Sequence, residues 1–368
     1  MAAEVRQTSP QADVSAQRQL RKSPFLEWCD RERLKVIEGY GVDDLRTVEL
    51  APWKRIGGLA AYCHLEGSQG FVGAMVVEIP PGESLQPMRH LYEEQVLILE
   101  GHGATRFHSQ SHADGETTGK SLVTEWQAGS VFSPPLNARH QHFNGSGTEP
   151  VRFVAASNMP LVFNTFNNPD FIFDCPFEFS DRFAGDDDYF SSELKPGELE
   201  DKEVNFIPDV YALTLDYYPD RGIGFSRLGV ALSHNLMVGH IMQIESGTYK
   251  KAHRHHAGAQ VIVLGGEGYS LMWPPGGEMV RVDWHKGSLV VPPEGWYHHH
   301  FTCSAEPARH LALRRGLRGV GPVWLANVSE RDGGHRMEHE DEPPIIREMY
   351  QAELAKRGVP FRMEPLKR

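Results

Sequence analysis

Several things are scarce in this sequence, and each scarcity removes a class of function. Positive charge is one: 37 Lys and Arg against 49 Asp and Glu leave a net charge of −12 over 368 residues. Nucleic-acid binding rests on clustered positive charge, so no nucleic-acid partner is expected. No apolar run approaches the roughly 18 residues of a membrane span, so no membrane partner is expected either. The opening segment, MAAEVRQTSPQADVSAQRQLRKS, has no apolar centre and reads as a mobile polar tail rather than a secretory signal. Only four cysteines occur, Cys29, Cys63, Cys175 and Cys303, widely spaced and without a Cys-x-x-Cys pair. That pattern predicts reduced thiols and a cytoplasmic setting, not a disulfide framework. A phosphate-cradling glycine loop is absent. Long amphipathic helical patterns are nearly absent too. Residues 24 to 36 and 344 to 356 are the two helical candidates, and each opens on a proline, which a first turn tolerates.

What remains is ordinary globular composition, 40% hydrophobic and 23% charged, in a length that suits two domains of roughly 150 residues. Residues 73 to 144 repeat as residues 239 to 302. Gln95 matches Gln260, Gly101 and Gly103 match Gly266 and Gly268, and Trp126 matches Trp284. Further on, Gly129 matches Gly287, Pro134-Pro135 match Pro292-Pro293, and His140 and His142 match His298 and His300. A duplicated domain follows. Each copy reads as short β-strands between Gly and Pro turns, which predicts a barrel or a sandwich. Histidine is abundant, with 19 in all, and the repeated motifs collect many of them.

In the second copy, His253 and His255 are two apart on an expected strand and so share a face. His298, His300 and Trp296 share a face of a later strand. Inward faces meet in a closed barrel, so His253, His255 and His298 can converge. Three neutral imidazoles with open positions left over suit a catalytic transition metal. His300 is the candidate general base, with a pKa naturally near neutrality. The run His335-Arg336-Met337-Glu338-His339 spells an inverted zinc-protease pattern, but the flanking Gly333-Gly334 and Pro343-Pro344 predict a loop, not the helix that pattern needs.

The first copy carries Gly82, Met88, His90, Glu94 and Gly101, then Gly129, Pro135, Asn137, His140 and Asn144. The second carries Gly247, His253, His255, Ala259 and Gly266, then Gly287, Pro293, Gly295, His298 and Thr302. Together they resemble the two-part signature of the cupin superfamily, in which three His and one Glu hold a metal. The resemblance implies an all-β chain of two cupin barrels (double-stranded β-helix, jelly-roll) with short flanking helices. On that reading residues 1–23 are the tail, 24–160 the N-terminal barrel with its leading helix, and 161–205 an irregular aromatic and acidic linker. Residues 206–325 are then the C-terminal barrel and 326–368 an extension with a helix.

The copies depart from the signature in opposite ways. Met88 stands where the first copy should have a His, leaving His90, Glu94 and His140 as a possible second metal site. Ala259 stands where the second copy should have its Glu. A three-His site without the Glu resembles the gentisate 1,2-dioxygenase-like bicupins. His253-Arg254-His255, Ala257-Gly258-Ala259 and Gly266-Glu267-Gly268-Tyr269 carry that likeness, with Trp296, His298 and His300. It implies Fe(II), with Mn, Ni or Zn as other candidates, and O2-dependent cleavage of a small hydroxylated aromatic or enolisable acid. Ala259, Gln260, Tyr269 and Trp296 are the expected substrate pocket. The alternatives are a metal-dependent decarboxylase, isomerase or lyase on a small organic acid, and a non-enzymatic ligand-binding bicupin. A homo-oligomer is expected, as for bicupins in general.

Overall fold

The computed structural model describes residues 5–7, 22–68, 70–109, 119–196, 202–255, 258–315 and 323–366. Each repeat forms one barrel, a large sheet closed against a small one. In the first, the large sheet runs in the order Phe206–Ile207, Val131–Phe132, Glu94–Glu100, Val151–Ser157, Gly73–Ile79, Gly58–Cys63, Val36–Ile37. Its small sheet is Arg139–Asn144, His102–His108, Ser121–Gln127. The second barrel repeats this plan with Leu289–Val290, Gln260–Gly265, Ala308–Arg315, Met237–Ile244 and Phe225–Ala231 facing Tyr297–Thr302, Glu267–Trp273 and Met279–His285.

The barrels exchange edges. Phe206–Ile207, from the chain leading into the second barrel, pairs with Val131–Phe132 of the first. Gly41–Val42, from the first half, pairs with Leu289–Val290 of the second. The two large sheets then pack back to back. This explains why VLIL at 96–99 and VIVL at 261–264 are continuous apolar runs rather than alternating ones: both faces are covered. Val96 and Ile98 line the first barrel, whereas Leu97, Ile262 and Leu264 join the core between the barrels. The matched glutamines serve that junction. Gln95 Nε2 donates to Met237 O and Gln260 Nε2 to Ser68 Oγ, each at 3.0 Å.

The repeated Gly–Trp pairs have a steric cause. A Cβ on Gly268 would sit 1.9 Å from Phe301 O and 2.7 Å from the Trp284 ring, and one on Gly103 would meet Phe143 O and Trp126 equally closely. The indoles are laid over bare backbone, and only glycine permits it.

Three expectations need correction. Of the tail foreseen over residues 1–23, the described part includes Val5–Gln7, which pairs in parallel with Met279–Arg281 as an extra strand; the rest, apart from Lys22–Ser23, lies outside the described residues. The linker foreseen as irregular over 161–205 contains helices Met159–Phe166 and Pro169–Asp174. They are too short to show a helical period. Their signals are a proline in each first turn and Asn168, whose side chain accepts from Phe171 N–H. Of the linker aromatics, Phe163 and Phe173 enter the first core beside Phe25 and Trp28, while Phe166, Phe171 and Phe177 stay exposed. The leading helix is Pro24–Glu32, shorter than foreseen, because Arg33 turns into the left-handed region.

Helix Pro344–Arg357 closes the outer side of the second barrel, laying Ile346, Tyr350 and Leu354 against Tyr269, Leu271 and Phe301. Just before it, Glu342 is buried with Tyr249 donating its hydroxyl to Oε2 at 3.0 Å. Burial pushes this carboxyl up to about 8. The folded chain therefore keeps a proton that the unfolded chain releases near the usual carboxylate value, so Glu342 costs stability as pH rises from about 4.5 towards 8. A Glu342→Gln variant is expected to lose that slope. Its melting temperature should fall less than that of the parent between pH 5 and 8, and an unchanged slope would show that Glu342 is ionised in the fold.

Candidate metal centres

Two groups of metal-ligating side chains converge among the described residues: His253, His255 and His298 in the second barrel, and His90, Glu94 and His140 in the first. In each, one donor atom per residue lies within 4.8 Å of the others. Sequence reasoning places His253 and His255 on a strand, but they sit on an irregular extended segment. That segment is cross-linked to strand Tyr297–Thr302 at the ligands themselves: His253 N–H donates to His298 O (3.2 Å) and His298 N–H to His253 O (2.9 Å). The convergence therefore comes from this cross-link and not from strand parity. Ring centroids are 4.4 Å apart for His253 and His298, and 4.8 Å for His255 and His298.

Burial holds His253 and His298 well below the usual imidazole range, with neighbouring cations pushing the same way. They are thus neutral donors, the form a metal requires. His298 Nδ1 is 3.1 Å from Trp296 O, which leaves Nε2 for the cluster. His253 Nδ1 and, in the first barrel, His140 Nε2 are buried with no hydrogen-bond partner. Buried ring nitrogens without partners are costly unless something else satisfies them, and a nitrogen-rich donor set with open positions fits a borderline transition metal.

The first-barrel centre is denser. His90 Nδ1 is 2.7 Å from Tyr92 O, and its Nε2 lies 3.3 Å from Glu94 Oε1. Burial alone would raise the Glu94 carboxyl, but His90, His140 and His142 outweigh it and hold it at about 2. His140 is pushed down to about 3 by burial and then by His90 and His142. Met88 contributes backbone here, exchanging hydrogen bonds with His140 at 2.9 and 2.8 Å.

The remaining foreseen site residues scatter. His300 lies one layer beneath the ligands: its Nδ1 is 2.7 Å from Ser270 Oγ, which also accepts from Trp284 Nε1–H at 3.1 Å. The first barrel holds the same chain, with Trp126 Nε1–H donating to Thr105 Oγ1, itself 2.7 Å from His142 Nδ1. Sequence reasoning missed Thr105 and Ser270, although each stands two residues after a matched glycine. Recurrence of this relay where the ligands differ marks it as support for the strands. Ser270→Ala leaves the Trp284 N–H and His300 without their shared partner. It is expected to destabilise the chain by about 1–3 kcal/mol in denaturant unfolding, and no change would show that the relay carries no strain when broken.

Ala259 faces the barrel interior beside Phe225, Met242 and Val261. Gln260 is a correction: its amide reaches the other barrel, so it lines the junction and not a substrate pocket. Tyr269 is another. Strand Glu267–Trp273 turns Ser270 and Met272 inward opposite His300 and His298, so Tyr269 points outward. There it stacks on Phe301 at 4.6 Å under the C-terminal helix, with the Arg281 guanidinium over its ring. Trp296 is half-buried against Tyr40, 6.2 Å between centroids. The His335–His339 run forms no helix: Glu338 pairs with Lys251 and Arg336, and His339 packs on Tyr249.

One further residue at the second centre was not foreseen. Lys250 is buried, with Nζ 3.5 Å from His253 Nε2 and 5.3 Å from the Phe225 ring centroid. Burial, then Arg221 and Arg227, pushes its ammonium well below the usual range. The Lys250-Lys251 pair before the motif was the available signal, but sequence does not say which of the two turns inward. Lys251 is the one that turns out, to Glu338. Among the described residues no helix is long and apolar enough to cross a membrane.

No protein-family model and no curated protein matches the chain. Solved structures do match. An oxalate decarboxylase studied for its substrate binding mode and a reaction-specificity switch aligns over 80% of this chain and 82% of its own, at 13% identity and a TM-score of 0.50. An oxalate decarboxylase from Bacillus subtilis, at pH 4.6, aligns over 89% of this chain and 87% of its own, at 12% identity and a TM-score of 0.51. The likeness is one of fold: the chain is built of two cupin barrels with short flanking helices.

Proposed function

We propose that the chain is a metal-dependent enzyme acting on a small organic acid at the three-histidine centre of its second barrel. The observation that carries this is the convergence of His253, His255 and His298 beside the buried amino group of Lys250. A metal bound there would supply Lewis-acid chemistry, polarising the oxygens of a chelating acid. The protein's own groups do the rest. Three imidazoles hold the ion and leave positions open on it. Lys250 offers a hydrogen-bond donor to a carboxylate, and Ala259, small and apolar, leaves room where a glutamate would intrude.

On the reaction, the reading preferred is non-oxidative cleavage of the decarboxylase or lyase kind. The fold neighbours named oxalate decarboxylase support it. An O2-dependent iron enzyme of the gentisate type is the second reading, and Ala259 favours it, because three neutral donors without a carboxylate leave the centre more positive. His90, Glu94 and His140 are proposed as a second binding site for a divalent metal, with Mn, Fe, Ni or Zn as candidates.

Dioxygen separates the two. Protein reconstituted with Mn(II) or Fe(II) should be given oxalate, small hydroxy and keto acids, and gentisate, with and without O2. Release of CO2 or an elimination product under anaerobic conditions is the expected result. Ring-opened product formed only with stoichiometric O2 uptake would move the assignment to the dioxygenase. Metal-loaded protein inert towards every acid would contradict both.

A further inference from the structure

The ligand segment of the second barrel is held from two sides. On one side His253 exchanges backbone hydrogen bonds with His298. On the other lies the C-terminal extension. Arg254 N–H donates to His335 O at 3.1 Å and Met337 N–H to Ala252 O at 2.9 Å, so residues 335–337 run antiparallel beside residues 252–254. His253 is thus the middle of three chain segments, between Arg336 and His298. An irregular segment has no regular ladder to satisfy its backbone groups, and here the extension supplies part of one.

To reach this place the extension turns back on itself. Glu330 N–H donates to Arg336 O and Gly334 N–H to Ser329 O, each at 2.8 Å. That turn carries one carboxylate to the neighbours of the ligands. Tyr297, the residue before His298, donates its hydroxyl to Glu330 Oε1. Arg254, between His253 and His255, brings Nε to 3.9 Å from the same oxygen, with its guanidinium 5.3 Å from the Tyr297 ring centroid. The Tyr297 ring is in turn stacked on Trp273, 5.5 Å between centroids. Each of the three ligands is therefore one residue away from a side chain that Glu330 meets. The first barrel is tied differently. There Leu91 N–H donates to Ile172 O at 2.9 Å and the Arg89 guanidinium to Asp174 O at 3.3 Å, so the ties end on backbone carbonyls of the linker.

We propose that Glu330 is a positioning residue of the second metal centre: by holding Arg254 and Tyr297 together it sets where the imidazoles of His253, His255 and His298 stand. The inference deepens the proposed function and rests on it for the metal. A role in stability alone is a poor account of this carboxylate. The Arg254 and Glu330 side chains are each 32% exposed, and an ion pair that open to water adds little to folding. Groups that orient metal ligands, by contrast, act on the affinity for the ion, because a ligand already in place loses less freedom when the ion arrives.

The test titrates Mn(II) into the full chain by calorimetry, in a Glu94→Ala background so that the first-barrel set lacks its carboxylate. Adding Glu330→Ala is expected to weaken binding at the second centre by about 10-fold or more, with the melting temperature of the metal-free protein unchanged. Glu330→Gln, which still accepts from the Tyr297 hydroxyl, should recover part of that loss, and in a Tyr297→Phe background the loss should shrink. Amide exchange of the metal-free protein gives a second readout: the Arg254 and Met337 amides should exchange about 10-fold faster in Glu330→Ala. Unchanged affinity in Glu330→Ala would overturn the inference, and so would a loss of affinity that follows a general loss of stability. A parent protein that takes up no Mn(II) would instead contradict the metal-centre reading, and the exchange rates would still decide whether Glu330 holds the ligand segment.

Discussion

Replacing His298 by alanine is expected to abolish turnover and to weaken divalent-metal binding in the second barrel by more than about 10²-fold. Outer-layer partners of metal ligands are typically worth 10–100-fold, and His298 stands inside that layer. It is the hub of the centre: its ring lies closer to those of His253 and His255 than they lie to each other, and its backbone ties the irregular His253 segment to the barrel. The backbone tie survives in alanine, so the fold should persist. Circular dichroism and melting should stay near the parent while one equivalent of metal is lost. Full metal retention with full turnover would show that the three imidazoles are packing and not ligands.

The second large effect concerns Lys250. A Lys250→Met variant is expected to keep its metal, to melt no lower than the parent and to lose about 10²-fold or more in kcat/KM for the acid substrate. The stability expectation follows from placement. A buried lysine whose charged form is opposed by burial and by Arg221 and Arg227 is a destabilising feature that an apolar chain of similar length relieves. The activity expectation follows from its 3.5 Å approach to His253, where it meets whatever the centre binds. Stability and activity moving in opposite directions is the signature of a residue kept for function. A loss in both together would recast Lys250 as a structural residue, and unchanged kcat/KM would remove it from the site.

How much of this the sequence could reveal depends on the kind of signal. The duplication was legible because Gly103–Trp126 and Gly268–Trp284 are each locked by a contact that no other residue pair satisfies. The second-barrel ligand set was legible from spacing and the first-barrel set from the resemblance to the cupin signature, and the structure brings together His253, His255 and His298, and His90, Glu94 and His140. Residues chosen for their type alone fared worse. Tyr269 looked like a pocket wall, yet its strand turns it under a helix some eighty residues later in the chain. Gln260 looked like a pocket residue, yet its partner Ser68 belongs to the other barrel. Lys250 went unread because burial of one lysine in a Lys-Lys pair is decided by tertiary packing, which leaves no local mark.

The central claim is that the second barrel holds the working metal. The most direct measurement is an anomalous difference map from Mn- or Fe-loaded crystals, collected at the absorption edge of the metal. The account predicts a peak enclosed by His253, His255 and His298, with Lys250 beside it and not ligating. A peak confined to His90, Glu94 and His140, with none between the three histidines of the second barrel, would contradict it.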